Sequence, residues 1–237
     1  MPRVVRRPRA AVAALGLTLA VGALAGCAGI GQPAPYDSPG INGLVIPTPS
    51  ADAADFVAGV DNPWFPLEPG STARFDVTED GADLGWFETT VLDGTTDVGG
   101  IAATGVTTAS AVDGRNDIST YYYAQDTAGN VWLVGADEGG VGSWRAGEDG
   151  AQAGLAVPAH PRLGDGWLTR VVPGLGEEST RVEDQSRAMV QTRTQDGAQD
   201  DDEAGTTTRH VYERGVGLVS VEDLDAGWTA RRAGSSD

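Results

Sequence analysis

Residues 101–134 read IAATGVTTASAVDGRNDISTYYYAQDTAGNVWLV, and this stretch decides the fold. Residues 101–112 are rich in Thr and Val, which suit a pleated, half-buried surface. Asp113-Gly114 closes that run with a strong hairpin signal. Residues 118–125 carry the aromatic run Tyr121-Tyr122-Tyr123, and Asp126-Thr127-Ala128-Gly129-Asn130 is a short turn. Val131-Trp132-Leu133-Val134 then resumes the extended pattern, so composition and length predict a hairpin. Adjacent side chains on a strand point to opposite faces. At least one ring of Tyr121-Tyr122-Tyr123 therefore lies away from the main core, unless both faces are covered.

The same grammar extends to either side. Ala73, Phe75 and Val77 alternate with Thr72, Arg74 and Asp76, which predicts one buried and one wet face. Glu79-Asp80-Gly81 is turn chemistry. A strand over 84–92 carries Trp86 and Phe87, and residues 94–100 hold another turn. Further strands are expected over 166–172, 181–194, 206–212, 216–221 and 228–232. Asp61-Asn62-Pro63-Trp64-Phe65-Pro66-Leu67-Glu68-Pro69-Gly70 alternates large apolar groups with prolines that forbid a regular helix. It reads as an irregular segment whose Trp64, Phe65 and Leu67 plug one end of a core. Residues 144–165 are Gly- and Ala-rich, with Pro158, Pro161 and no clear period. They predict a long ordered loop near 145–165, with room for one helical turn, closing one end of the sheet. No segment beyond the leader offers ten residues at helical spacing. The expected fold is all-β: an antiparallel, strongly curved sheet, half-barrel or barrel-like.

The first residues have another character. Arg3, Arg6, Arg7 and Arg9 precede an apolar run over 10–25, which ends in Leu24-Ala25-Gly26-Cys27. That is the layout of a secretory signal peptide, and its end has the form of a lipobox, which implies cleavage before Cys27 and acylation of its thiol. A transmembrane helix needs about 20 apolar residues, more than this Ala- and Gly-rich run supplies. Arg6-Arg7 also has the form of a twin-arginine pair, although Pro8 and Arg9 follow it, so both export routes stay open. The expected organisation is a signal peptide over 1–26, a flexible Pro/Gly/Ser tether over 27–54, one β domain over 55–232 and a disordered tail over 233–237. The tether composition cannot bury enough apolar surface to order itself. The expected address is the outer, extracytoplasmic face of the cell membrane, held by the acyl chains on Cys27.

Charge and cysteine usage narrow the chemistry. The chain has 16 basic and 34 acidic residues, and every basic residue is an arginine. Four arginines and no acids lie in the leader, so cleavage leaves a net charge of −22. Such a surface argues against nucleic acid, whose phosphates need clustered cations, and against adsorption to anionic head groups. Membrane attachment must come from the acyl chains, at about 0.8 kcal/mol per buried methylene. Cys27 is the single cysteine, so the acylated protein has no disulfide, thiolate metal site or cysteine nucleophile.

Ordered motifs along the chain resemble a family of uncharacterised bacterial envelope lipoproteins. They are Asp61 to Gly70, Tyr123-Ala124-Gln125-Asp126 with Gly129-Asn130-Val131-Trp132, Gly142-Ser143-Trp144 with Ala146-Gly147, Asp149-Gly150-Ala151-Gln152, Pro158 with Gly164-Asp165, and Tyr212 with Gly215-Val216-Gly217-Leu218-Val219. The resemblance implies an envelope address and carries no activity. At the level of fold alone, tether plus antiparallel sheet looks like the half-barrel lipoproteins that carry lipids in bacterial envelopes.

No catalytic constellation stands out. His160 lies between Ala159 and Pro161, and His210 lies in a predicted strand; each reads as structural or solvent-exposed. No Gly-x-Ser-x-Gly elbow occurs, two distant histidines without cysteine do not make a zinc site, and no cofactor is implied. Asp200-Asp201-Asp202-Glu203 is a like-charge block that reads as a solvated loop tip. Calcium takes such oxygen ligands, but no Asp-x-Asp-x-Asp-Gly spacing is present.

Aromatic residues are the better clue. Trp86, Tyr121, Tyr123, Trp132 and Trp167 are the candidate ligand-binding residues, set against core packing as the plainer role. The function expected from these features is a non-enzymatic binding or carrier module, whose ligand is a hydrophobic small molecule or an envelope protein. Two alternatives accompany it: a secreted carboxylate-dependent hydrolase, and a purely structural or inhibitory protein-binding module. The hydrolase requires a cleft with two carboxyl groups roughly 5 to 9.5 Å apart.

Overall fold

A computed structural model describes residues 53–139, 142–197 and 205–234. Cys27, the leader, the expected tether up to residue 52 and the acidic block at 200–203 lie outside the described residues. After a three-residue 3₁₀ turn (Ala53–Asp55), fourteen strands follow. They are β1 (Phe56–Val57), β2 (Thr72–Glu79), β3 (Ala82–Val98), β4 (Ile101–Val112), β5 (Arg115–Asp126), β6 (Val131–Glu138), β7 (Gly142–Arg145), β8 (Gly154–Val157), β9 (Gly166–Val172), β10 (Gly176–Gln185), β11 (Met189–Asp196), β12 (Thr207–Glu213), β13 (Gly217–Asp223) and β14 (Trp228–Arg232). The domain is all-β, as its sequence pattern predicts.

Every strand pairing among the described residues is antiparallel, and all join chain neighbours except β14–β2, β1–β5 and β6–β8. The first meander runs from β2 to β7 and the second from β9 to β14. They join through β14 and β2, with Ala230 opposite Val77 and Arg232 opposite Phe75. Phe75 and Val77 are 1% exposed, and Phe75 stacks on Phe87 at 4.5 Å. This seam is therefore dry and aromatic. The far edges meet less completely. β6 is paired along one edge by two short strands, first β8 and then β7. The chain between these two reaches the second meander at a single bridge, Gln152 to Val171, whose N–H···O bond is 2.9 Å. The result is a nearly closed, barrel-like sheet.

Beyond shifts of a few residues at strand ends, the structure departs from the sequence reading in three places. The expected turn over 94–100 is strand: β3 continues to Val98, with a register shift between Val91 and Thr95 and a turn only at Gly99-Gly100. A bulge keeps a 17-residue strand in the curved wall by bending it. The expected strand over 181–194 is a hairpin, β10 and β11, in which the Ser186 hydroxyl accepts the backbone N–H groups of Ala188 and Met189. The long loop near 145–165 contains β8 and no helical turn.

The proline-rich segment forms the plug that its sequence predicts. Trp64 is 4% and Leu67 8% exposed, and both join the largest buried cluster with Leu155, Val157, Val182 and Val190. Its prolines leave few backbone donors, and side chains satisfy the rest. Gln125 Oε1 accepts the N–H groups of Asp61 and Asn62, at 3.0 and 2.9 Å. Asn62 Nδ2 donates to the Gly129 carbonyl at 2.8 Å, and Asn62 Oδ1 accepts the Trp64 N–H at 2.8 Å. On the far side, the Gly215 N–H donates to the Pro63 carbonyl at 2.6 Å. The plug thus straps the β5–β6 turn to the β12–β13 turn across one end of the barrel.

The weakest closure gives a test. A Cβ on Gly154 would lie 1.9 Å from the Thr169 carbonyl oxygen, so β8 approaches β9 this closely only with glycine there. Gly154→Ala is expected to cost about 1–3 kcal/mol, read as a lower urea midpoint at unchanged slope.

Candidate functional site

Strand alternation places one face of each strand inside the barrel, and these side chains do not fill it. An outer chamber of about 660 Å³ runs among β2–β5, β12–β14 and the plug. Phe75, Phe87, Val91, Val106, Leu218 and Val221 give it an apolar wall. An inner chamber of about 290 Å³ lies toward β6 and β8–β12. Its wall is polar, with Thr169, Arg170, Glu178, Thr180, Thr194 and Thr208 among the lining residues. Phe65, Tyr121, Tyr123 and His210 line both chambers and form the collar between them. The plug's Phe65 meets Tyr123 edge-on at 5.0 Å and Tyr212 at 6.4 Å.

Tyr123, His210 and Tyr212 lie deep among protein atoms and are half-buried. Their free surface faces the chambers. Burial and the nearby Glu138 carboxylate push Tyr121 up to about 12. Burial likewise pushes Tyr123 and Tyr212 upward. All three phenols therefore stay protonated near neutral pH. Burial pulls His210 down to about 4, so its ring is neutral there. Its hydrogen-bond contact is the Thr194 hydroxyl at 3.5 Å. That hydroxyl continues a row with Thr180 at 2.8 Å and Thr169 at 2.7 Å.

Arg170 anchors the polar end. Its guanidinium donates to Asp196 at 2.7 Å and lies 4.0 Å from Glu178. Burial works against the Arg170 charge, but Glu178 and Asp196 outweigh it and raise its pKa. Burial pushes Glu178 up to about 6, against the pull of Arg170 and with added push from Asp196 and Glu138. Arg170 thus holds Asp196 by a hydrogen bond and Glu178 within ion-pair range.

The five candidate aromatics separate. Tyr121 and Tyr123 line both chambers, while Trp86, Trp132 and Trp167 line neither. Trp86 lies beneath the Arg74 guanidinium, 4.2 Å from its ring. Trp132 is 3% exposed, and its indole N–H donates to Asp126 at 2.9 Å. Trp167 is 8% exposed and packs in the largest buried cluster. The middle ring, Tyr122, faces the opposite way from Tyr121 and Tyr123. It lies under Arg145 at 4.4 Å, and its hydroxyl donates to Asp137 at 2.7 Å. His160 is exposed, whereas His210 lines the collar. Sequence reasoning missed Arg170, Glu178, the threonine row and the interior place of His210.

Comparison with family models, curated proteins and solved structures finds no match, so function rests on the interior geometry. That geometry is a pair of partly open chambers, one with an apolar wall of Phe75, Phe87, Val91, Val106, Leu218 and Val221 and the other lined by threonine and tyrosine hydroxyls beside Arg170 and Glu178.

Two interior groups give opposing pH signatures. Glu178 holds its proton more tightly folded than unfolded, since its pKa is about 6 against an ordinary 4.5. Its ionisation costs on the order of 2 kcal/mol, so stability from this group falls as pH rises through that window. His210 is the reverse: about 4 folded against 6.5 unfolded, so its contribution rises with pH across that range. Relative to wild type, Glu178→Gln is expected to steepen the loss of stability on acidification from about pH 6.5 to 4.5. His210→Gln is expected to flatten or reverse it. Urea midpoints across that range check both.

Proposed function

We propose that the chain is a lipid-anchored envelope lipoprotein whose barrel binds a small amphiphilic molecule inside. The observation that carries this reading is the pair of adjoining chambers behind the plug, about 660 and 290 Å³. Ligand pockets commonly span about 300–1,000 Å³ and combine apolar walls with a few placed polar groups. The apolar outer wall suits an aliphatic or ring body, and the threonine, tyrosine and Glu178 wall suits its polar end. The outward faces of the strands support anchoring rather than spanning. Arg74 and Asp76 on β2, Glu183 on β10, Arg193 on β11 and Arg209 on β12 make outer ion pairs. A membrane-spanning barrel turns an apolar band outward instead.

The anchor and the cavity are tested separately. Cys27→Ala is expected to release the protein from the membrane fraction into the soluble fraction and to abolish palmitate incorporation; equal retention refutes the anchor. For the cavity, native mass spectrometry of the purified domain is expected to show a co-purifying small molecule. Thr108→Phe projects a ring into the outer chamber, and the added apolar burial of about 25 cal/mol per Å² should keep the fold at least as stable. This variant is expected to bind an apolar fluorescent probe about tenfold or more weakly. A wild-type domain that carries no ligand and takes up no probe overturns the binding reading.

A further inference from the structure

We propose that the inner chamber selects an uncharged, hydroxyl-bearing head group and disfavours an anionic one. This inference rests on the interior-binding reading above and names its ligand class. Three observations meet at the same wall. First, Arg170 is the one cation among the described residues lining the inner chamber, and Asp196 at 2.7 Å and Glu178 at 4.0 Å already engage it. Glu138 adds a third nearby carboxylate, close enough to act on Tyr121, Arg170 and Glu178. A carboxylate or phosphate placed there meets three acids against one committed guanidinium, and like charges this close repel.

Second, the phenols of Tyr121, Tyr123 and Tyr212 line the same chamber, and burial raises the pKa of each, so all three present neutral O–H groups near neutral pH. A hydroxyl both donates and accepts, whereas an ammonium group only donates and a carboxylate only accepts. Third, the Thr169, Thr180 and Thr194 hydroxyls form a continuous row at 2.7 and 2.8 Å that ends on His210. Each hydroxyl can turn its proton either way, so the row adapts its direction to a ligand hydroxyl. The phenols of Tyr121, Tyr123 and Tyr212 share this property. The apolar outer chamber then takes the rest of the molecule. Arg232 also lines that chamber, but Glu68 lines it too and Arg232 donates to the Val216 carbonyl at 2.8 Å.

The test uses three probes of one chain length, 1-decanol, its methyl ether and decanoate, each displacing an apolar fluorophore from the purified protein near neutral pH. The ether is the more apolar molecule but cannot donate a hydrogen bond. Decanol is expected to compete at about tenfold lower concentration than either of the others. Thr180→Val, which breaks the hydroxyl row while keeping side-chain size, is expected to erase most of the gap between decanol and ether. Ether binding as tight as decanol, or decanoate binding tighter, overturns the head-group inference and leaves interior binding standing. A protein that takes up the fluorophore and none of the three probes also overturns it. A protein that takes up neither fluorophore nor probes overturns interior binding itself.

Discussion

Twelve strands wound into one sheet enclose more room than their own side chains fill. About eight strands give an interior that side chains just pack, and the width grows with strand number. A wider barrel must plug its interior, fill it with outsized residues or leave it open, and this chain does all three. The segment carrying Trp64, Phe65 and Leu67 occupies one end, held by Gln125 and Asn62 on one side and by the Pro63 carbonyl on the other. Tyrosines reach inward from β5 and β12, and the space that remains forms the two chambers. Prolines 63, 66 and 69 suit such a plug, since they rule out a helix and lower the number of N–H groups to be satisfied.

Much of the architecture was legible because strand alternation is a local signal. β4, β9 and β14 match the sequence reading in both boundaries, since each is bounded by Gly, Pro or Asp turn residues. The misread places lack such local signals. Thr95, Thr96 and Asp97 look like turn residues, yet they pair with Thr104, Ala103 and Ala102 after a bulge. β8 has four residues, too few to display a period, and exists because β6 offers it an edge. The β10–β11 turn has no glycine or proline; its Ser186 hydroxyl does the capping. In each case a specific partner decides, a bulged neighbour strand, an open edge on β6 or a capping hydroxyl, and residue type alone does not announce it.

The site was half legible for a related reason. Tyr121-Tyr122-Tyr123 showed that neighbouring rings diverge, and the structure turns the outer two into the chambers and the middle one under Arg145. Nothing in the run says which face is inside. Tryptophans looked like ligand contacts because they are large, and size alone serves packing equally well: Trp132 closes the β5–β6 turn through Asp126. Arg170, Glu178 and His210 escaped notice because β9, β10 and β12 carry polar residues on both faces. Glu178 and Arg209 look alike in sequence as strand charges; one faces a chamber and the other an exterior ion pair with Glu222. Motifs in 61–66, 123–132 and 212–217 stand far apart in the chain but meet at the plug, where they hold the closed end together.

The composition of the interior argues that stability is not what shaped it. Burying an ion pair rarely outperforms apolar side chains of the same volume, and the desolvation cost falls on every member. Here an arginine, two carboxylates, a neutral histidine and a row of threonines replace the valines and leucines that a barrel of this kind could carry. Glu178 still bears the mark of that cost in its raised pKa. The same chain builds a dry seam from Phe75, Phe87, Val77 and Ala230 only two strands away from His210. Apolar packing was therefore within its reach. Arg170, Glu178, His210 and the threonines are polar groups kept at a structural cost on the wall of a chamber, and that is what supports the binding role proposed above.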